Sequence, residues 1–262
     1  QSKYGILGMI HNKDLLNDKD IPYLKENRIF ALTPFQYNGY EIKLLSASFF
    51  GENVNKKYAS SLERKQILMI GASNNRELVE VALNDLRDSM MEVGYIGNIY
   101  QNKELRQIIK QVIHCFGRQQ CNHNKFHFKA RKSIKYFGKL DFSSMYREIE
   151  NADYIMLAMD MQNQKYASFL EGKTSGSKQL VLGFNKPCII CERVGKVYGF
   201  NHTNAVLYEG NDLLEGLRRV SKTGYNDYLD LKHNLGILYD NCIAQSKKNL
   251  SETISQIVTR VQ

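Results

Sequence analysis

The chain has 262 residues, of which 43% are hydrophobic and 24% charged, and its formal net charge is +9. That composition is globular, and the length allows a large core or two domains. No apolar run is long enough to span a membrane, which sets aside a helical transmembrane protein.

The five cysteines, Cys115, Cys121, Cys188, Cys191 and Cys242, are odd in number. Cys188 and Cys191 flank Ile189-Ile190 in an apolar run, so they read as packed thiols of a reducing compartment. Cys115-x5-Cys121-x-His123-x3-His127 is a loose match to zinc spacing in a polar, basic stretch, and no metal site is assigned to it. The positive charge suits an anionic partner: nucleic acid, an acidic membrane surface or a phosphorylated small molecule.

In chain order, Tyr4–His11 is a short apolar run like a strand of a parallel sheet, and Asp20–Asn27 a short helix or turn. Arg28–Pro34 is a second strand, stopped by its proline, and Ile42–Ala47 a third. The chain opens within a strand, so residues 1–63 are expected to be an incomplete first unit and its polar linker, with further sequence upstream. The pattern restarts at residue 64, and 64–262 is expected to be a complete second unit.

There Gln66–Gly71 is a strand, Arg76–Val93 a helix, Tyr95–Tyr100 a weak strand and Lys103–Cys115 a helix. Ser133–Gly138 is a strand, a helix capped by Asp141 or Ser143 runs to Asn151, and Asp153–Ala158 is a strand. Pro187–Cys191 and Asn204–Tyr208 are strands. Asn211 is expected to cap a helix over 212–221, and Tyr225 to about Arg260 is helical, with breaks considered at Gly236 and Ser246. Strands alternating with helices mean an α/β fold with parallel sheets. Ligands of such sheets bind beyond the C-terminal strand ends. Neither a dinucleotide fingerprint nor a P-loop motif occurs.

Between the strands ending at Ala158 and starting at Pro187 lies Thr174-Ser175-Gly176-Ser177-Lys178, a polar loop feeding a short amphipathic helix. Such a loop leaves backbone N–H groups unpaired at the positive end of a helix dipole, which favours a phosphate. Gly176 lets a ligand approach the backbone closely, and Thr174, Ser175 or Ser177 can be the N-cap.

This order of elements resembles the donor-binding half of a two-domain GT-B glycosyltransferase. Gly71-x-x-x-x-Arg76 before a helix is similar to the first loop of that domain. Phe137-Gly138-Lys139-Leu140, then Ala152-Asp153-Tyr154-Ile155, resemble the stretch preceding its donor loop. Thr174-Ser175-Gly176 through Lys186-Pro187-Cys188-Ile189-Ile190 resembles the donor loop, its helix and the following strand. Three features depart from the family pattern, one being that no Lys follows Arg76 at the spacing where many members place a pyrophosphate-binding Lys. Asn185 stands where the family has Gly before Lys-Pro, and the E-x7-E of retaining members becomes Glu171-x7-Gln179.

The resemblance implies two Rossmann-like domains of the GT-B type, the first truncated, and a nucleotide-diphosphate sugar as donor substrate, with no cofactor. The diphosphate would lie on the N–H groups of Ser175 to Ser177, with Arg76 or Lys178 neutralising the leaving nucleotide in place of a divalent metal. Tyr208, Glu209 and Asn211 would line the base or ribose, Glu171 would contact sugar hydroxyls, and His11 would be the general base. The acceptor would be a saccharide, a lipid-linked acceptor or a protein, the setting cytoplasmic, with peripheral contact to the inner face of a membrane compatible with the charge. Two rival readings stand beside it: a non-catalytic binding module of the same fold, and a nucleic-acid-binding protein using the basic, aromatic stretch Arg118–Lys139. Nucleic acid is the disfavoured partner, because that stretch also reads as a solvated loop running into a strand.

Overall fold

The computed structural model describes residues 7–46, 64–71, 74–86, 91–97 and 134–261. The expected helix Lys103–Cys115, the Cys115–His127 cluster and the basic stretch up to residue 133 lie outside them.

In the first unit β1 (Gly8–Ile10), β2 (Ile29–Ala31) and β4 (Tyr40–Leu44) run parallel, and β3 (Phe35–Tyr37) pairs antiparallel with β4. The strand order is β1-β2-β4-β3. Helix α1 (Ile21–Lys25), with a proline in its first turn, sends Leu24 onto a core of Ile10, Leu16, Ala31 and Ile42. Strand β3 was not expected. It is made by the two-residue turn Asn38-Gly39, whose φ values of 48° and 79° are those a tight hairpin turn needs.

The second unit is one parallel sheet of β5 (Lys65–Ile70), β6 (Met91–Ile96), β7 (Lys135–Gly138), β8 (Tyr154–Leu157), β9 (Cys188–Cys191) and β10 (Ala205–Tyr208). Its order is β10-β9-β8-β5-β6-β7, so the winding direction reverses between β5 and β8, as in a doubly wound Rossmann-like sheet. Helices α2 (Arg76–Asp85), α3 (Phe142–Asn151), α4 (Ala167–Leu170), α5 (Gly176–Gly183), α6 (Glu192–Tyr198) and α7 (Leu213–Lys222) follow the strands. Side chains alternate between two cores: Leu68, Ile155, Leu157 and Ile190 on one face, Ile67, Met69, Met156 and Ile189 on the other. Burial on both faces is why these strands read as continuous apolar runs.

Several expectations are corrected. The helix expected to reach Val93 ends at Asp85, and β6 starts at Met91 instead of Tyr95. Gly94 belongs inside that strand, because a Cβ there would come within 2.6 Å of the Phe137 ring. Helix α6 was not expected. The cap of α7 is Asp212, whose carboxylate accepts from Glu215 N, and not Asn211. Asp141, in contrast, does cap α3.

Helix α8 (Tyr225–Val261) is unbroken through Gly236 and Ser246. At 1.5 Å per residue it spans about 55 Å. Its start packs on the second unit, where the Tyr228 hydroxyl donates to Asp153 O at 3.0 Å. Its end packs on the first unit, where Asn249 Nδ2 donates to Leu44 O at 2.8 Å and Thr253 Oγ1 to Asn27 O at 3.2 Å. Among the described residues no helix is long and apolar enough to cross a membrane.

Candidate functional site

The reversal of winding leaves a crevice beyond the C-terminal ends of β5 and β8. Asn74 ties its two sides together: Nδ2 donates to Ile70 O at 3.0 Å, and Oδ1 accepts from Ala158 N at 2.9 Å. Asn75 N adds a bond to Ala158 O. The start of α5 is brought to the same point, because Ser177 Oγ donates to Ile70 O at 3.1 Å.

The N-cap of α5 is Ser175, whose hydroxyl accepts from Ser177 N. Ser175 N donates to the Tyr198 hydroxyl at 2.9 Å, Thr174 N to His11 O at 2.8 Å and Lys178 N to Ser175 O at 3.0 Å. The expected phosphate cradle over the N–H groups of Ser175 to Ser177 is therefore corrected: two of the three are held within the protein. Among the described residues the third, Gly176 N, has no hydrogen-bond partner. Gly176 is exposed, and a Cβ on it would meet nothing within 4 Å.

Arg76 opens α2, six residues beyond Ile70, with its guanidinium 5.1 Å from the centre of the Tyr95 ring. Its Nη1 is buried and makes no hydrogen bond. The ring face attracts the cation and holds it beside Tyr95.

Lys178 was expected to face the leaving nucleotide. The structure buries it to 3% exposure and turns Nζ to the first unit, where it donates to Leu32 O at 3.1 Å and to Thr33 Oγ1 at 2.8 Å. Burial pushes its pKa down to about 8.

Tyr208 was expected to line the base. It is 1% exposed, accepts from Met159 N at 3.2 Å and donates to Met159 O at 3.3 Å, so it fastens β10 to the end of β8. Burial raises its phenol pKa and keeps it protonated. Asn211 shapes the same loop, donating to Asp160 Oδ1 at 2.6 Å and accepting from Met161 N at 3.1 Å. Glu171 is half exposed and ion-paired with Lys13 at 2.5 Å. His11 is exposed, and its carbonyl holds Thr174 N, which puts it next to the donor loop. The structure thus gathers His11, Glu171, Thr174, Ser175, Gly176, Ser177 and Lys178 around one loop, and places Tyr208 and Asn211 apart from it, holding the loop that follows β8.

Two departures from the family pattern gain a physical meaning. Asn185 has φ 49°, the left-handed conformation that a glycine supplies at a helix end. Gln179 on α5 is 2% exposed, and among the described residues neither its amide nitrogen nor its amide oxygen has a partner. Among residues the sequence reading missed, Thr33 and Tyr198 hold the donor loop and Asn74 closes the crevice. Only Gln179 carried a signal, its spacing from Glu171.

The Cys188 and Cys191 side chains are buried in β9, where burial raises both thiols. A cavity of about 400 Å3 lies along the outer edge of β10, lined by His202, Arg219, Asp227 and Asp230 among others. A second, of about 340 Å3, lies between Gln66, Glu92 and Phe137. Neither is at the start of α5, so cavity volume alone does not mark this site. The case for the site rests on strand ends and on donors without partners.

No family model and no curated protein matches the sequence. Among solved structures the chain is similar to Anabaena Alr3699/HepE in complex with UDP and glucose, with a TM-score of 0.53 and 11% identity over 82% of this chain and 57% of that one. It is similar to AviGT4, a glycosyltransferase involved in avilamycin A biosynthesis, with a TM-score of 0.51 and 6% identity over 86% of this chain and 60% of that one. It is also similar to an α,α-trehalose-phosphate synthase (UDP-forming) from Burkholderia vietnamiensis, with a TM-score of 0.51 and 10% identity over 87% of this chain and 55% of that one. The chain spans less than two thirds of the length of each. At these identities the likeness is one of fold.

Proposed function

From the GT-B glycosyltransferase fold of this chain, we propose that it transfers a sugar from a nucleotide-diphosphate sugar to a saccharide, lipid-linked or protein acceptor. The observation that carries this reading is the seating of the α5 N-terminus on the end of β5, at the point where the sheet reverses. A helix start in that position presents an N–H donor and a positive dipole to an anion.

The diphosphate would accept from Gly176 N. Arg76, whose Nη1 has no partner among the described residues, would take a second oxygen. Charge builds on the leaving nucleotide as the sugar–phosphate bond breaks, so donors fixed beforehand lower the barrier without reorganising. Gln179 would spend its unpaired amide on ligand hydroxyls. His11 would accept the acceptor's proton, and Glu171 would hold the sugar from the loop above. Uridine is the base to try first, since the Anabaena structure holds UDP.

The test is a thermal-shift screen against UDP, GDP, CMP and their sugar conjugates, with Gly176→Leu as control. A Cβ at 176 meets nothing within 4 Å, so the leucine is chosen to cover the helix start, and glycine-to-leucine favours a helix by about 0.7 kcal/mol. A nucleotide that binds the folded state raises the melting temperature of the wild type, and that rise is expected to vanish in Gly176→Leu. No rise with any nucleotide would refute the donor site. A second reading, a non-catalytic nucleotide-sugar binding module, is favoured by the missing carboxylate at Gln179. It is the outcome if the nucleotide binds but no sugar is released or transferred from its conjugate.

A further inference from the structure

Lys178 is a buried cation in an unfavourable place. It lies in the first turn of α5, where the helix dipole is positive, at 3% exposure. Among the described residues no carboxylate pairs with it within 4.0 Å. Its surroundings are Leu32 O and Thr33 Oγ1 from the β2–β3 connection, the Tyr198 ring of α6 at 5.0 Å, and the Cys242 thiol of α8. Thr33 is fully buried, and its hydroxyl accepts from Lys178 Nζ and from Thr174 Oγ1, both at 2.8 Å.

The same loop meets the first unit at three further points. Glu171 pairs with Lys13, Thr174 N with His11 O, and Gly172 lies so close to Phe35 that a Cβ on it would come within 2.6 Å. The loop that would carry the diphosphate is therefore shaped by the other unit.

We propose that Thr33 is a positioning residue that couples the two units to the donor loop, so that docking of the first unit and binding of the nucleotide diphosphate form one linked equilibrium. This rests on the donor-site reading above. A diphosphate at Gly176 brings the negative charge that Lys178 lacks, and so favours its ammonium form. In the ligand-free protein that form is lost as pH rises through about 8. Binding above that pH then takes up a proton, and affinity falls as pH rises. Removing the Thr33 hydroxyl withdraws an acceptor from the ammonium, which moves this fall to lower pH.

The experiment is calorimetric titration of the whole chain with UDP at pH 6.5 to 9.5, for wild type, Thr33→Val and Thr33→Ser. Each point is run in buffers of different ionisation enthalpy to count protons. Thr33→Val is expected to bind UDP about tenfold more weakly at neutral pH, the size of one charge-assisted hydrogen bond. It should also lose affinity at lower pH, while Thr33→Ser keeps the wild-type profile. If Thr33→Val does not fold, as read by its circular dichroism melt, Thr33→Ala replaces it with the same expectations. Unchanged affinity and pH profile in the hydroxyl-less variant, or a serine variant as weak as it, would overturn the coupling. A wild type that binds no UDP at any pH would instead overturn the donor site, and the linkage with it.

Discussion

Adjacent residues of α5 show how a buried polar group reveals a use. Lys178 is buried and bonded, while Gln179 is buried and has no partner for its amide nitrogen or oxygen. Leaving a buried donor or acceptor unsatisfied costs about 1–3 kcal/mol, so an amide without a partner among the described residues is a position where a ligand contact can be tested. Gln179→Leu, close in volume, is expected to raise the ligand-free melting temperature by several degrees, the equivalent of about 1–2 kcal/mol. The same variant should bind UDP more weakly. A variant that is more stable and binds UDP as the wild type does would remove Gln179 from the ligand site. Arg76 differs in that the Tyr95 ring lies 5.1 Å from its guanidinium, while its Nη1 has no partner among the described residues.

Helix ends make the second scale informative, because the last carbonyls of a helix need donors. Two buried lysines supply them. Lys65, at the start of β5, donates to the carbonyls of Val220, Ser221 and Thr223 at the end of α7. Lys186, just before β9, donates to Glu150 O at 2.8 Å and Ala152 O at 2.7 Å at the end of α3. Each ammonium thus meets the negative end of a helix dipole while its strand is placed beside that helix. Lys186→Met is expected to lower stability by about 2–4 kcal/mol, since it leaves two carbonyls without their charged donor. Urea denaturation checks this, and a loss under about 0.5 kcal/mol would mean that water replaces the lysine. The opposite arrangement, Lys178 at a helix start, stands out against these two.

Across the whole molecule, α8 bonds to both units, as the segment 171–178 also does. Its Tyr228 bonds to the second unit, and its Asn249 and Thr253 bond to the first. Ser246 does two things at once: its hydroxyl donates to Cys242 O at 2.6 Å and accepts from Ser46 N at 2.8 Å, so it serves the helix without breaking it. Asn249→Ala withdraws the donor to Leu44 O at the end of β4. It is expected to speed amide exchange in β2 and β4 at least tenfold, as a loss of about 1.4 kcal/mol would, while β8 and β9 keep their protection. Equal changes in both units would show that they open together and that α8 does not set the first unit's stability separately.

The sequence by itself determined the parallel α/β class, the strands β5, β8, β9 and β10, a cap at Asp141 or Ser143 and the small-residue start of α5. Each is written locally, in runs buried on both faces or in a side chain three residues from the N–H it serves. The hairpin at Asn38-Gly39 was equally local and was missed, and α6 was hidden because Glu192–Tyr198 follows a strand with no capping side chain. Only the tertiary structure decided which donors around α5 are spent. Ser175 N meets a hydroxyl 23 positions away, Lys178 Nζ one 145 positions away, and Tyr208 turns from a ligand candidate into a tie within the sheet. The periodicity of a sequence tells which side of an element is buried. It does not tell which distant group will meet a given N–H or ammonium there.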